Sequence, residues 1–286
     1  MTADLLKLCD PTAYYNQFLS ESIYPDGRSI NSFRPILLRM GVNERSAGSS
    51  FARQGGATVT CNIEALLAPV SDASIIVPVI QAAPNIPKNL VEDAMVMVNQ
   101  LVAQNAFCTK DALKTAGGRL TWLLNLHIMI LNVDGAICDA LCTCIAGALV
   151  DLRLPDAFTD YEEDIPIDIN KVKLSETFHH IKVADIPVSS TFIVYKPPNE
   201  EVGLFITSLC EVKILCDPVS ELFQVAPNTV MIVVGNNARI HRISQSGICG
   251  DEITMQHMVE MAARRQKVVA ESMLKAKEAH LMKGGE

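Results

Sequence analysis

The sequence has few aromatic residues: they form 5% of its 286 residues and include a single tryptophan. Hydrophobic residues nevertheless reach 49%, so aliphatic side chains must fill most of the core. No apolar run approaches the length that spans a bilayer, and the first residues lack the basic segment and apolar core of a signal peptide. The surplus of apolar side chains is therefore expected in a core or in a subunit interface.

Net positive charge is also missing. The chain has 24 Lys and Arg against 32 Asp and Glu, which gives a net charge of −8. Proteins that bind nucleic acid on their own usually present a basic surface, so the composition argues against autonomous binding, although it allows a local basic patch. The nine cysteines lack the spacing of a disulfide scaffold, which predicts reduced thiols in a cytosolic or nuclear protein.

The order of strand and helix patterns predicts two similar halves. Residues 1–24 predict a helical N-terminal arm, 25–160 a first half, 161–179 an acidic linker and 180–286 a second half with a long C-terminal helix. In each half, several strand patterns precede a helix. This order predicts an α+β fold that is repeated once, with antiparallel sheets.

Several segments of the first half carry this prediction. Residues 34–69 predict a meander of strands, whereas residues 69–87, which contain four prolines, predict a loop. Asn89 begins a capping-box pattern, which predicts that it caps a helix. Alternating apolar residues predict a strand over 119–133, and a helix of small residues follows over about 137–152.

The second half repeats the plan. Residues 187–195 and three later segments predict strands, and Gly235-Asn236-Asn237 suits the hairpin turn between the last two. Asp251 is expected to cap the C-terminal helix. Charged residues on that helix, Arg264 and Arg265 among them, predict a solvated face.

A series of short motifs opens the first half. They follow one another as Pro25-Asp26-Gly27-Arg28, Arg34-Pro35, Gly48-Ser49 and Gly55-Gly56. This series resembles the N-terminal signature of the RNase PH family, whose members form six-membered rings that hold RNA or degrade it from its 3′ end. Later segments are similar to the non-catalytic ring subunits of the eukaryotic RNA exosome, and the resemblance spans roughly residues 24–270. These segments are Asp134-Gly135 after a strand, residues 187–192, and Asp217-Pro218 followed by Glu221.

The resemblance implies a fold, partners and a cellular place. The fold is a duplicated α+β unit of the ribosomal protein S5 domain 2-like type. The partners are other RNase PH-like ring subunits joined head to tail, cap proteins with S1 or KH folds, and RNA held weakly through the assembled channel. The expected places are the nucleus, the nucleolus and the cytoplasm, and neither a cofactor nor a metal is implied. The signature residues expected to serve structure are Asp26, Gly27, Arg28, Gly48, Gly55, Asp134 and Gly135.

The resemblance also indicates that the chemistry is lost. Active members carry a Gly-Thr-Arg turn that binds phosphate before the helix of small residues, and this chain has no arginine there. An anionic Asp139 beside that position is expected to repel phosphate. The acid that active members carry in the second half is replaced by Ala226-Pro227, and residues 69–87 contain no arginine to grip RNA. The degenerate former phosphate site comprises Ala136, Ile137, Cys138 and Asp139.

The sequence thus predicts a non-catalytic subunit of the exosome core ring. It would support 3′-to-5′ RNA processing and degradation, in rRNA maturation and mRNA turnover, by guiding RNA through the ring channel. Two alternatives stay open: an active phosphate-dependent 3′ exoribonuclease, and a stand-alone RNA-binding module.

Other reactive residues are expected to be structural. The cysteines of the small-residue helix predict buried thiols, because a zinc site needs four ligands and no further ligand pair lies close in sequence. His179 and His180 are expected on the surface, and Asp26 and Arg28 predict a short ion pair across a glycine turn. The three cysteines are Cys138, Cys142 and Cys144.

Overall fold

The computed structural model describes residues 3–70, 75–115, 118–158, 172–181, 183, 185–196, 212–248 and 250–283. The chain begins with two short helices, α1 (Ala3–Cys9) and α2 (Pro11–Ser20). Asp10 caps α2, since its Oδ1 accepts a hydrogen bond from Ala13 N at 3.0 Å. The arm is helical, as predicted, and buried Tyr15 packs against the second half of the chain.

The first half contains a five-stranded sheet. Its strands, in chain order, are β1 (Ile36–Met40), β2 (Gly48–Gln54), β3 (Ala57–Pro69), β4 (Ile76–Ala82) and β5 (Leu120–Asn132). The order across the sheet is β1-β2-β3-β5-β4. Neighbours are antiparallel except β4, which runs parallel to β5. The meander and the long strand are confirmed, but the expectation of a purely antiparallel sheet is wrong.

β4 lies within the segment that was predicted to be a loop. The prolines of this segment led to the loop prediction, because proline cannot donate a hydrogen bond to a neighbouring strand and is rare in central strands. β4 is an edge strand, and an edge tolerates Pro78 because one side of the strand needs no partner. The loop prediction over 69–87 is therefore wrong for residues 76–82.

Two helices cover one face of this sheet. The helix α3 (Lys88–Ala103) begins directly after Pro87 and has no side-chain cap, so the predicted cap at Asn89 is wrong. The helix α4 (Ile137–Asp151) is the predicted small-residue helix, and it is buried along nearly its whole length. It lies between the first sheet and the second half, where small side chains allow close packing.

A two-stranded sheet connects the halves. It pairs β6 (Arg153–Phe158) with β7 (Lys173–His180) in antiparallel fashion. The predicted acidic linker at 161–179 lies outside the described residues up to 171. Its last part forms β7, which ends at His179 and His180, so the linker prediction is wrong there.

The second half is a four-stranded antiparallel sheet with order β11-β10-β8-β9. Its strands are β8 (Val188–Tyr195), β9 (Lys213–Cys216), β10 (Thr229–Val234) and β11 (Ile240–Ser246). A short helix, α5 (Leu222–Val225), precedes β10, and the long helix α6 (Glu252–Lys283) ends the described chain. The predicted hairpin turn between β10 and β11 is confirmed.

The C-terminal helix packs on the second sheet and also touches the first. Asp251 caps α6 as predicted, with Thr254 N donating to its Oδ1 at 3.0 Å. Met258 and Ala262 on α6 pack on the second sheet, and the same helix contacts α4 through Val269 and Met273. Among the described residues, no helix combines the length and apolar character that a membrane span needs.

Candidate functional site

The turn that the family resemblance assigns to phosphate binding in active members connects β5 to α4, and we call it the phosphate turn. Gly135 in this turn has φ of +91°, a left-handed conformation that glycine adopts without strain. A Cβ at this position would collide with the carbonyl oxygen of Pro218, from the second half. The backbone N–H of Gly135 donates to Ser220 Oγ at 2.6 Å. A loop of the second half therefore covers the turn and occupies one of its hydrogen-bond donors.

Arg34 lies beside this turn and connects the two halves. Its Nε donates to Asp217 Oδ2 at 2.8 Å, and its Nη2 donates to Asp217 Oδ1 at 2.9 Å. On the other side, Nη1 donates to Asp134 Oδ2 at 2.7 Å. Burial would raise the pKa of Asp217, but the hydrogen bonds and charge of Arg34 outweigh it and hold the pKa below its usual range. We call Arg34, Asp134 and Asp217 the arginine clasp.

The glycine pair between β2 and β3 shapes this clasp. Gly55 has φ of +57° and lies so close to Arg34 that a Cβ there would collide with the guanidinium. The N–H of Gly56 donates to Asp134 Oδ2 at 3.2 Å. Gly55 thus lies against the guanidinium in a left-handed conformation that glycine adopts without strain.

Arg28 supports the clasp from the N-terminal signature. The predicted ion pair with Asp26 exists, with 3.5 Å between Arg28 Nε and Asp26 Oδ2. Stronger contacts lie elsewhere: Arg28 Nη2 donates to the Asp217 carbonyl at 3.0 Å, and Nη1 donates to the Ser32 carbonyl at 2.7 Å. Gly27, with φ of +82°, makes the turn between the two charged residues. These signature residues therefore hold the loop that carries Asp217.

Gly48 at the start of β2 is the remaining signature glycine. A Cβ at this position would lie 2.6 Å from the carbonyl oxygen of Ala148 and 2.8 Å from the Cα of Leu152. Both contacts are backbone atoms at the end of α4, which cannot move aside easily. Gly48 thus permits the close approach of α4 to the sheet.

Asp139 does not act as the sequence led us to expect. It is fully buried, and Arg265 Nη1 donates to its Oδ2 at 2.6 Å. Ser189 Oγ and Thr191 Oγ1 each donate to its Oδ1 at 2.8 Å. Its carboxylate thus lies between α4, β8 and α6 and is paired with Arg265. The expectation that Asp139 repels phosphate directly is therefore wrong.

Arg265 was expected on the solvated face of α6, and this is also wrong. The residue is 6% exposed, its Nη2 donates to Gln54 Oε1 at 2.7 Å, and its guanidinium stacks on Phe33 with 4.2 Å to the ring centre. Arg264, its neighbour, does lie on the surface and pairs with Glu260 at 3.7 Å. Helical spacing predicted the exposed pair of Arg264 with Glu260. It gave no indication that Arg265 would pair with buried Asp139.

Cys138 in the first turn of α4 is not an acidic thiol. A thiol near a helix N-terminus normally has a lowered pKa. The pKa of Cys138 is instead raised to about 12 by burial and by the carboxylates of Asp139 and Asp93, against the opposing charge of Arg242. The acidifying effect expected of a helix N-terminus is thus absent at Cys138.

The other positions of the former site are apolar. Ala136 precedes α4 without a side-chain cap, and Ile137 is buried against the first core. Ala226, expected at the position of the lost acid, is 5% exposed and packs in the cluster that holds the N-terminal arm. These side chains offer no group that titrates or holds an anion.

The cysteines and histidines that the sequence singled out lie in different environments. Cys142 and Cys144 are buried as predicted, but Cys138 is only half-buried. No group of three or more His, Cys, Asp or Glu among the described residues is arranged to hold a metal ion. His179 is on the surface, 3.2 Å from Asp156. His180 is half-buried instead, and burial, followed by the charges of Lys277 and Arg153, lowers its pKa.

Comparison with known proteins identifies similarity to one domain family and to one fold. Residues 32–155 match the RNase PH family model, described as the 3′ exoribonuclease family, domain 1. The chain is similar to "Archaeal exosome core", with a TM-score of 0.68 at 19% identity, covering 95% of this chain and 98% of that one. The fold is therefore RNase PH-like, as predicted.

Individual relatives refine the comparison. The chain is 24% identical over 258 residues to exosome complex component rrp43 of Schizosaccharomyces pombe, covering 86% of this chain and 88% of that protein. It is 19% identical over 260 residues to exosome complex component RRP45 of Saccharomyces cerevisiae, covering 86% and 83%. The sequence motifs had likewise indicated the ring subunit numbered forty-three, with those numbered forty-two and forty-five as competitors.

Proposed function

We propose that this protein is a non-catalytic structural subunit of an exosome core ring. The observation that carries the proposal is the state of the phosphate turn. Arg34, the cation beside Gly135, is held by the carboxylates of Asp134 and Asp217, and Ser220 occupies the N–H of Gly135. An incoming phosphate would have to displace these partners, whereas an active site needs donors that are ready for the anion.

An active phosphate-dependent exoribonuclease is the second candidate, and one observation favours it. Arg242 on β11 lies near the first turn of α4, where its charge acts on Cys138, and its Nε is buried without a hydrogen-bond partner. A single guanidinium does not replace the missing arginine and the missing acid together. Arg242 is nevertheless the residue to test if activity is found.

A stand-alone RNA-binding module fits the net charge of −8 poorly.

Ring assembly requires surfaces for neighbouring subunits, and the β6–β7 sheet provides one. It carries Phe158, Leu174 and Phe178, which are 51%, 54% and 64% exposed. Leu174 and Phe178 also line an open groove of about 690 Å³, together with Trp122 and Arg153. Large exposed apolar side chains beside a groove are typical of the anchors of protein interfaces. This surface would join an RNase PH-like neighbour head to tail.

The remaining parts of the proposal follow from the resemblance. The ring would guide RNA to a separate nuclease for rRNA maturation and mRNA turnover, with S1- or KH-type proteins as a cap and only weak RNA contact by this subunit. The protein would act in the nucleus and nucleolus, and also in the cytoplasm.

Affinity purification of the tagged full-length chain under gentle conditions tests the proposal. Co-purification of other RNase PH-like subunits is expected for the wild-type chain, and loss of at least one neighbour is expected for Phe158→Ser/Phe178→Ser. The matched control is Ile253→Ser on α6, which is 76% exposed and should retain every partner. Purification of the wild-type chain as a well-behaved monomer without such partners would contradict the proposal.

A further inference from the structure

One face of the first sheet is open to solvent. Its other face is covered by α3 and α4, and alternation along the strands sends every second side chain outward. On β1 and β2, Arg39 and Arg53 are exposed while Phe51 between them is half-buried. Cross-strand pairing places Arg39 opposite Phe51, and Phe51 opposite Thr60 on β3. We call Arg39, Phe51, Arg53 and Thr60 the arginine–phenylalanine patch.

The charge of this patch differs from that of the whole molecule. The five strands, which the structure describes in full, contain Arg39 and Arg53 as their only lysine or arginine residues and Glu64 as their only carboxylate. Glu64 lies four residues beyond Thr60 on β3, roughly 13 Å away at about 3.3 Å per residue. It is already engaged by Asn125 Nδ2 at 3.0 Å and by His127 at 3.3 Å. The five strands therefore carry more positive than negative side chains, on a chain whose net charge is −8.

Two guanidinium groups beside an aromatic ring suit one kind of ligand. A protein partner that covered this patch with apolar surface would have to desolvate both charges, which is costly without carboxylates opposite them. Single-stranded nucleic acid supplies phosphates for arginines and bases that stack on aromatic rings. The Thr60 hydroxyl next to Phe51 adds a hydrogen-bonding group for a base or a ribose.

We propose that the arginine–phenylalanine patch binds single-stranded RNA, with one base stacked on Phe51 and phosphates held by Arg39 and Arg53. The inference rests on the proposed function, which gives the ring an RNA to guide, and it assigns the weak RNA contact of this subunit to a particular surface. Without further basic residues on the sheet, affinity is expected only in the range of non-specific binding, about 10⁻⁴ to 10⁻⁶ M at physiological salt.

Fluorescence anisotropy with a 5′-labelled oligouridylate and the purified full-length chain tests this inference, at several salt concentrations. Arg39→Gln/Arg53→Gln should weaken binding at least tenfold at low salt. It should also make the slope of log K against the logarithm of the salt concentration shallower by about 1.4. Each single-strand phosphate contact contributes about 0.7 to this slope, and two contacts are lost. Phe51→Leu, which keeps an apolar side chain but removes the ring, should weaken binding about fivefold or more while leaving that slope unchanged.

Arg264→Gln/Lys267→Gln is the matched control. Both residues are exposed on α6, so this variant has the same net charge as the patch variant but an intact patch. It should bind like the wild-type chain. Equal weakening of the two double variants would mean that only overall charge matters, and unchanged binding by Phe51→Leu would exclude stacking; either result overturns the proposal.

The affinity purification described above separates this inference from ring membership. Arg39→Gln/Arg53→Gln should retain all ring partners. If that variant loses a ring neighbour, the patch is a subunit interface and not an RNA surface, which refutes the inference while ring membership stands. If the wild-type chain has no ring partners but the patch binds RNA as described, the inference survives and the proposed function fails.

Discussion

Removal of Arg34 should be among the most damaging single substitutions outside the apolar core. In Arg34→Met, Asp217 loses the bonds at 2.8 and 2.9 Å to the guanidinium, while its side chain is 1% exposed. Removing one partner of a buried ion pair typically costs about 3–5 kcal/mol. The lower end applies here, because Arg28 Nη1 stays 3.5 Å from Asp217. The other partner, Asp134, is 37% exposed and adds little, since exposed pairs contribute about 0–1 kcal/mol.

Urea unfolding of Arg34→Met, Asp217→Asn and the double variant measures this effect. We expect a loss of about 3 kcal/mol for Arg34→Met, roughly a hundredfold in the unfolding equilibrium. The double variant should lose less than the sum of the two single losses, by about 2 kcal/mol. Arg264→Met is the control, since its pair with Glu260 is exposed and should change stability by less than about 0.5 kcal/mol. A loss under about 1 kcal/mol for Arg34→Met, or strict additivity, would refute the role of the clasp.

Three further predictions concern turn glycines, the acid sensitivity of Asp217 and the accessibility of two thiols. Gly135→Ala should destabilise the fold by about 2 kcal/mol or more, because the Pro218 carbonyl blocks a Cβ. Gly27 also has a positive φ but has open space around it, so Gly27→Ala should cost only about 1 kcal/mol of backbone strain. Thermal unfolding of the two variants measures the difference. Because the folded pKa of Asp217 is lowered, its stabilisation should be complete above about pH 4 and fade below it, and Asp217→Asn should remove that part of the acid sensitivity. Iodoacetamide with peptide mapping should label exposed Cys9 but spare buried Cys142, whose pKa burial raises well above the usual value; equal labelling of the two in the folded chain would contradict this.

Local patterns were enough to predict most of the fold. Alternation identified β5 and the strands around Gly55, and small residues ending before Pro155 identified α4. They failed where the deciding interaction is not local. β4 was missed because Pro78 argues against a strand unless the strand is known to be an edge, and the edge is defined only when β5 pairs with it.

Local sequence patterns also failed to reveal the long-range ion pairs of the candidate site. Asp139 and Arg265 are 126 residues apart in sequence, and each resembles a surface charge on its own helix. Nothing in either local pattern indicates that the other one will neutralise it. Arg34 and Asp217 could be recognised as parts of family motifs, but their pairing across 183 residues appears only when the two halves fold together. The motifs thus singled out both residues, and the packing of the halves determined that they contact each other.

Incubation of the purified full-length chain with 3′-tailed RNA and inorganic phosphate tests the central claim most directly, with nucleoside diphosphates as the readout. We predict that none are released. The phosphate turn lacks the arginine of active members, and contacts from Ser220 and from the arginine clasp close it. Release of nucleoside diphosphates by the wild-type chain, and its loss in Arg242→Gln, would contradict the claim and identify an active enzyme.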